Sequence, residues 1–183
     1  LAAEELEASD LVTVVDSANL STGIGLLVIE AAIMAEKGQS AAEIAATIES
    51  LKPNVRASFV VDTLTYLYRG GRCNAVSAMA GGVLRLHPKI VVENGAMDAS
   101  KKYRGKINSV IMSYVKDMEE DLKSARPERV FITHSGCEPT IINAVRSYLE
   151  GLGIFREILE TRAGGVISSH CGPGTLGVLF IES

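Results

Sequence analysis

Residues 55–72, VRASFVVDTLTYLYRGGR, decide the fold. Val55 to Asp62 is a short apolar run that reads as a buried strand. Thr63 to Tyr68 follows as a short helix, stopped by Gly70-Gly71, because glycine accepts the φ > 0 that ends helices. A strand feeding a helix so directly starts a new unit. We therefore place a domain boundary in front of it, dividing the chain into 1–54 and 55–183.

Upstream, Leu11 to Val15 (LVTVV) reads as a further buried strand, followed by a polar loop. A helix is expected from about Thr22 to Lys37, capped by Ser21 or Thr22 and stopped at Gly38. Ser40 caps the next helix with Glu43 three residues on, a capping box, and Pro53 lies past its end. This stretch reads as the closing part of an α/β domain. The opening Leu1-Ala2-Ala3-Glu4-Glu5-Leu6 reads as a helix already under way, so the chain is expected to be the C-terminal portion of a longer protein.

Downstream, Asn74 to Leu86 is a small-residue helix, suited to tight packing or to one wall of a narrow apolar tunnel. Lys89 to Asp98 reads as a hairpin about Asn94-Gly95, the strongest short hairpin signal. Gly105 to Ser124 keeps helical apolar spacing; 129–133 is a strand, 139–151 a helix, 154–161 a strand, and 177–181 a closing buried strand. The fold class is α/β: a remnant of an N-terminal α/β domain, then a complete α+β domain whose mixed sheet is flanked by helices.

Composition narrows the function. Over 183 residues, 18 Lys and Arg stand against 22 Asp and Glu, a net charge of −4, which argues against a nucleic-acid partner. The longest nearly apolar run, 23–35, falls short of the ~20 residues that cross a bilayer, and Glu30 breaks it. Three widely spaced cysteines, Cys73, Cys137 and Cys171, make a disulfide framework improbable and reduced cytoplasmic thiols the default. Gly23-x-Gly25 is an incomplete dinucleotide fingerprint, with Val28 where its third glycine belongs, and no phosphate-binding loop of the Walker type is present. No metal site has useful ligand spacing, and no cofactor is implied.

Three polar clusters remain: Arg69-Gly70-Gly71-Arg72, Lys101 to Gly105, and Ser168 to Thr175. Brought together, two arginine-bearing turns and one histidine-bearing glycine turn would receive an anion, since guanidinium forks match carboxylate or phosphate. Equally, Arg69 and Arg72 are solvated residues about a helix C-cap. His170 is expected in a turn at a strand end, with Cys171 pointing the opposite way along an extended chain. His134 ends strand 129–133, a usual place for a ligand loop. His87-Pro88 reads as a turn.

In order, V-V-D-S-x-x-x-S-x-G-x-G, F-V-V-D-T-L-x-Y-L-x-R-G-G-R, P-K-I-V-V-E-N-G, K-x-R-G and S-S-H-C-G-P-G-T-L-G-V resemble the DegV family, from about Val14 onward. The resemblance implies a bacterial, non-enzymatic binding protein of the EDD fold for a long-chain fatty acid. It implies a carboxylate near the domain junction, an acyl chain in an apolar tunnel of the second domain, and delivery to a fatty-acid kinase. The motifs put Arg72, Arg104 and His170 at the head group, with Gly70 and Gly71 shaping the turn. By the family's usual length, roughly the first third is absent. The rival from the enzyme class makes His170 or His134 a base or attachment point for a small carbonyl or phosphorylated substrate. A third possibility is a structural or regulatory partner module, with residues 75–84 packed solid.

Overall fold

The computed structural model describes residues 2–8, 10–72 and 86–183. After a short helix α1 (Ala2–Glu5) come α2 (Thr22–Glu36) and α3 (Ala41–Leu51). Ser40 caps α3 as its capping box predicts: its hydroxyl accepts from the Glu43 N–H while the Glu43 carboxylate accepts from the Ser40 N–H at 2.8 Å. Ser21 stands at the start of α2 without a side-chain cap bond. Residues 74–85 of the expected helix 74–86, and with them the expected tunnel wall, lie outside the described residues, and Leu86 belongs to a strand instead.

The second part supplies β1 (Val55–Val60), α4 (Thr65–Arg69), β2 (Leu86–Glu93) and β3 (Ala96–Arg104). The turn between β2 and β3 is Asn94-Gly95, both at positive φ (52° and 77°), as a tight hairpin turn requires. Then come α5 (Ile107–Asp117), α6 (Glu119–Lys123), β4 (Ala125–Ser135), α7 (Pro139–Gly151), β5 (Glu157–Arg162), α8 (Gly165–Cys171) and β6 (Thr175–Glu182). Helix 105–124 of the reading is thus broken at Met118, and strand 154–161 begins three residues later than expected.

Among the described residues the strands form one mixed sheet in the order β3-β2-β1-β6-β4-β5. Only β4 and β5 run parallel, joined through α7; the other pairs are antiparallel. Alternation along the central strands divides the core into two layers. Leu176, Val178 and Phe180 of β6, with Val60, Val130 and Ile132, face α5, α6 and α7. Leu179 and Ile181, with Val55, Ala57, Phe59 and Phe131, face α2, α3, α4 and α8. Each fully buried side chain of this kind contributes about 1.5–3 kcal/mol.

On the first face Tyr114 is the hub. Its hydroxyl donates to the Ser58 carbonyl at 2.8 Å, accepts from the Val178 N–H at 3.0 Å, and lies 2.9 Å from the Ser58 hydroxyl. Burial drives its phenol well above the ordinary tyrosine range.

Residues 11–15 do not form the strand expected of them. A strand needs an edge to pair with, and among the described residues the sheet ends at β3 and β5 without engaging this segment. Instead Leu11, Thr13 and Val15 border a cleft of about 340 Å³ whose other walls are α2 and α3. Leu11, Val12 and Val14 stay exposed, as do Ile24 and Val28 on α2. No described helix is long and apolar enough to cross a membrane.

Candidate functional site

α4 ends in a backbone motif that explains its glycines. The Arg72 N–H bonds the Leu67 carbonyl at 2.9 Å and the Gly71 N–H bonds that of Tyr68 at 3.0 Å, with Gly71 at φ 68°. This is a Schellman C-cap, and a left-handed residue at that position favours glycine. Arg72 is exposed and folds back, its Nη1 donating to the Gly70 carbonyl at 2.7 Å.

α8 corrects the sequence reading. Residues 165–171 are helical, so His170 belongs to the last turn of a helix and not to a strand end. The glycine turn read over Ser168 to Thr175 begins only after Cys171, and packing of α8 on α4 overrides the weak helix preference of its serines. Cys171 is buried while His170 is half-buried, so neighbours on the helix diverge and the pair forms no dyad. His170 Nδ1 donates to the Val166 carbonyl at 2.7 Å.

The two glycine turns interlock. A Cβ on Gly70 would stand 2.2 Å from His170 Cδ2, and a Cβ on Gly172 would stand 2.3 Å from Tyr66 Cδ2. Both glycines are therefore required for close approach of backbone to ring. The structure thus brings Gly70, Gly71, Arg72 and His170 into one corner, where α4 meets α8.

Arg104 is less closely tied. It ends β3 opposite Leu86, at the same end of the sheet as the residues leading into α4, and it is exposed. Among the described residues its side chain makes no hydrogen bond or ion pair, to Arg72 and His170 included. Its neighbour Gly105 gives its carbonyl to His87 Nε2 at 2.9 Å. His87 Nδ1 lies 3.5 Å from Asp62 Oδ1, and Asp62 in turn packs on Gly174.

His87 was missed by sequence reasoning. Expected in a turn, it is a buried strand residue of β2. Alternation with Ile90 and Val92 across a bulge hides its place in the sequence, and its link to Asp62 exists only once β1 and β2 pair.

His134, the other candidate base, is the next-to-last residue of β4 and is buried. Its Nδ1 accepts from the Cys137 N–H at 3.3 Å and its Nε2 sits 3.5 Å from Glu160 Oε1. Burial pushes the Cys137 and Cys171 thiols up to about 11, so both are protonated at neutral pH and make poor nucleophiles. Among the described residues no three His, Cys, Asp or Glu side chains gather to hold a metal.

Against known proteins, the model of the DegV family matches residues 1–183. A DegV domain-containing protein of Caldanaerobacter subterraneus is 31% identical over 182 residues, 98% of this chain and 64% of the relative. A solved structure from Thermus thermophilus, described as fatty acid binding of a DegV family protein, superposes with a TM-score of 0.86 at 30% identity, over 98% of this chain and 64% of that one. DegV of Bacillus subtilis, described as a fatty acid binding protein, gives a TM-score of 0.78 at 26% identity, over 97% and 64% respectively. The chain therefore spans somewhat under two thirds of the length of these relatives.

Proposed function

This chain belongs to the DegV family, and from that premise we propose that it binds a long-chain fatty acid. The observation that carries the reading is the likeness to the Thermus thermophilus protein, described as fatty acid binding. In this reading the carboxylate sits at the α4–α8 corner with Arg72 and His170, and Arg104 approaches from the end of β3. Gly70 and Gly71 give the head group access to backbone. The acyl chain takes an apolar tunnel in the 55–183 domain, beyond the boundary at 54/55.

The chemistry supports this division of labour. Charge-assisted hydrogen bonds to a carboxylate contribute about 1.5–3 kcal/mol each. Each buried methylene contributes about 0.8 kcal/mol, so the tail supplies affinity and the polar corner supplies orientation. Arg72 is exposed and its guanidinium bonds the nearby Gly70 carbonyl, a local contact that it can exchange for an arriving anion.

The protein needs no nucleophile for this role, and delivery of the bound acid to a fatty-acid kinase is part of the proposal. The enzyme alternative draws less support. His134 is buried and already engaged on both ring nitrogens, and both described thiols are protonated.

Native mass spectrometry and lipid extraction of the purified 183-residue chain test the reading. One fatty acid per chain is expected. Absence of any acyl adduct, with and without added fatty acid, overturns it.

A further inference from the structure

We propose that His87 is a positioning residue for the head group: by holding the Gly105 carbonyl it fixes the backbone from which Arg104 reaches a bound carboxylate. The proposal rests on the head-group role of Arg104 given above.

His87 occupies an interior position on β2, 5% exposed, in the same strand as the buried Ile90 and Val92. Its Nδ1 is buried without a hydrogen bond; Asp62 Oδ1, 3.5 Å away, makes none with it. An unsatisfied buried polar atom destabilises the folded state, and an aliphatic side chain would fill the same space without one. Packing therefore does not account for a histidine here. Its other nitrogen does. Nε2 lies 2.9 Å from the Gly105 carbonyl, and because a carbonyl oxygen only accepts, Nε2 carries the hydrogen and donates.

That bond meets the chain one residue past Arg104. β3 is an edge strand among the described residues, so Arg104, its last residue, is paired on one side only, opposite Leu86. Gly105 then turns the chain at φ 136°, a conformation that L side chains rarely adopt. A singly paired strand end opens readily unless a further contact holds it. β2 supplies two successive holds, Leu86 against Arg104 and His87 on Gly105.

The same ring faces the other polar clusters. Asp62, half-exposed, lies between β1 and α4, on the approach to Arg69 and Arg72. It packs in turn on Gly174, in the glycine turn before β6. His87 thus stands where the segments leading to all three clusters meet. An arginine whose guanidinium is free but whose backbone is fixed loses less freedom on meeting an anion than one on a loose strand end. Loss of the His87 bond should therefore weaken recognition of charge and leave the contribution of the tail unchanged.

Isothermal titration of the 183-residue chain with decanoate and with decanol, which share a tail and differ in charge, separates the two. His87→Leu should bind decanoate about tenfold more weakly, with decanol affinity unchanged. His87→Gln, whose amide nitrogen can donate to Gly105 in place of Nε2, should restore most of the loss. In an Arg104→Gln background, His87→Leu should weaken decanoate no further. Unchanged decanoate affinity, equal weakening of both probes, a loss that Gln does not restore, or a loss that persists in the Arg104→Gln background each overturns the proposal and leaves the proposed function standing. Binding of neither probe by the unaltered chain overturns the proposed function and the proposal with it. Should His87→Leu fold poorly, His87→Asn, whose amide is too short to reach Gly105, takes its place with the same losses expected.

Discussion

The two faces of the sheet are built by different means. The face under α5, α6 and α7 is held by interdigitating side chains around a fully buried tyrosine. The face under α2, α3, α4 and α8 depends at three points on a missing side chain: Gly70 against His170, Gly172 against Tyr66, and Gly177 against the Ser58 carbonyl. Side-chain packing tolerates volume-conserving change, whereas a backbone-to-ring contact accepts an added Cβ only where the ring can turn away. The difference teaches where to look for the site: the corner with the least freedom to change also holds the half-buried histidine.

That contrast can be broken most forcefully at Gly172. It sits at φ 80° and ψ 170°, a region open essentially to glycine, with the Tyr66 ring where a Cβ would go. Gly172→Ala should cost about 3–5 kcal/mol in urea unfolding. A cost under about 1 kcal/mol would mean that the two turns do not interlock.

Tyr114→Phe tests the other face. It removes a hydroxyl serving the Val178 N–H and the Ser58 carbonyl while preserving volume. A loss of about 2 kcal/mol is expected from stranded buried polar groups, read as a shift in denaturation midpoint at unchanged slope.

Gly70→Ala sharpens the comparison by separating stability from binding. The atom it meets is the end of a rotatable imidazole, so the fold should survive while the ring turns away. Fatty-acid affinity should fall by about tenfold, or 1.4 kcal/mol, in a titration of the folded variant. Unchanged affinity would remove His170 from the head-group site.

The smallest effect belongs to neither core. Ser40→Ala should cost about 1 kcal/mol of stability by removing the α3 cap. Hydrogen bonds from the Ser40 hydroxyl and backbone hold the Glu43 carboxyl below its ordinary value. A carboxyl depressed in the folded state stabilises above its unfolded pKa, and that support is lost as pH falls through the acid range. The variant should lose part of this acid sensitivity in thermal melts at pH 3–7.

What the sequence made legible was local. The Ser40–Glu43 box, the Asn94-Gly95 hairpin turn and helix 139–151 each depend on residues close together in the chain, and the structure contains each. The Schellman turn at Gly70-Gly71 was readable for the same reason. Residues 11–15 have the composition of a strand, but strand formation depends on a partner that composition does not reveal. α8 was hidden because its helix is held by contact with α4, nearly a hundred positions away in the chain. The likeness of motif order placed Gly70, Arg72 and His170 near one another before any geometry was known; no local signal could have done so. His87 and Asp62 escaped notice because their meeting is a product of sheet register.

One consequence of the strand order concerns how the molecule comes into being. β6, made from residues 175–182, lies between β1 and β4 and is hydrogen-bonded to both. Until it exists, the sheet is two separate pieces: a β1-β2-β3 meander and the parallel pair β4-β5. Neither piece can close its two-sided core alone, so during synthesis the chain must keep two sets of apolar strands apart until residue 182 is available. The glycine turn just before β6 then serves a second purpose. Packing against Tyr66, it fixes where β6 enters the sheet, so the same residues that shape the candidate site also set the position of the strand that joins the halves.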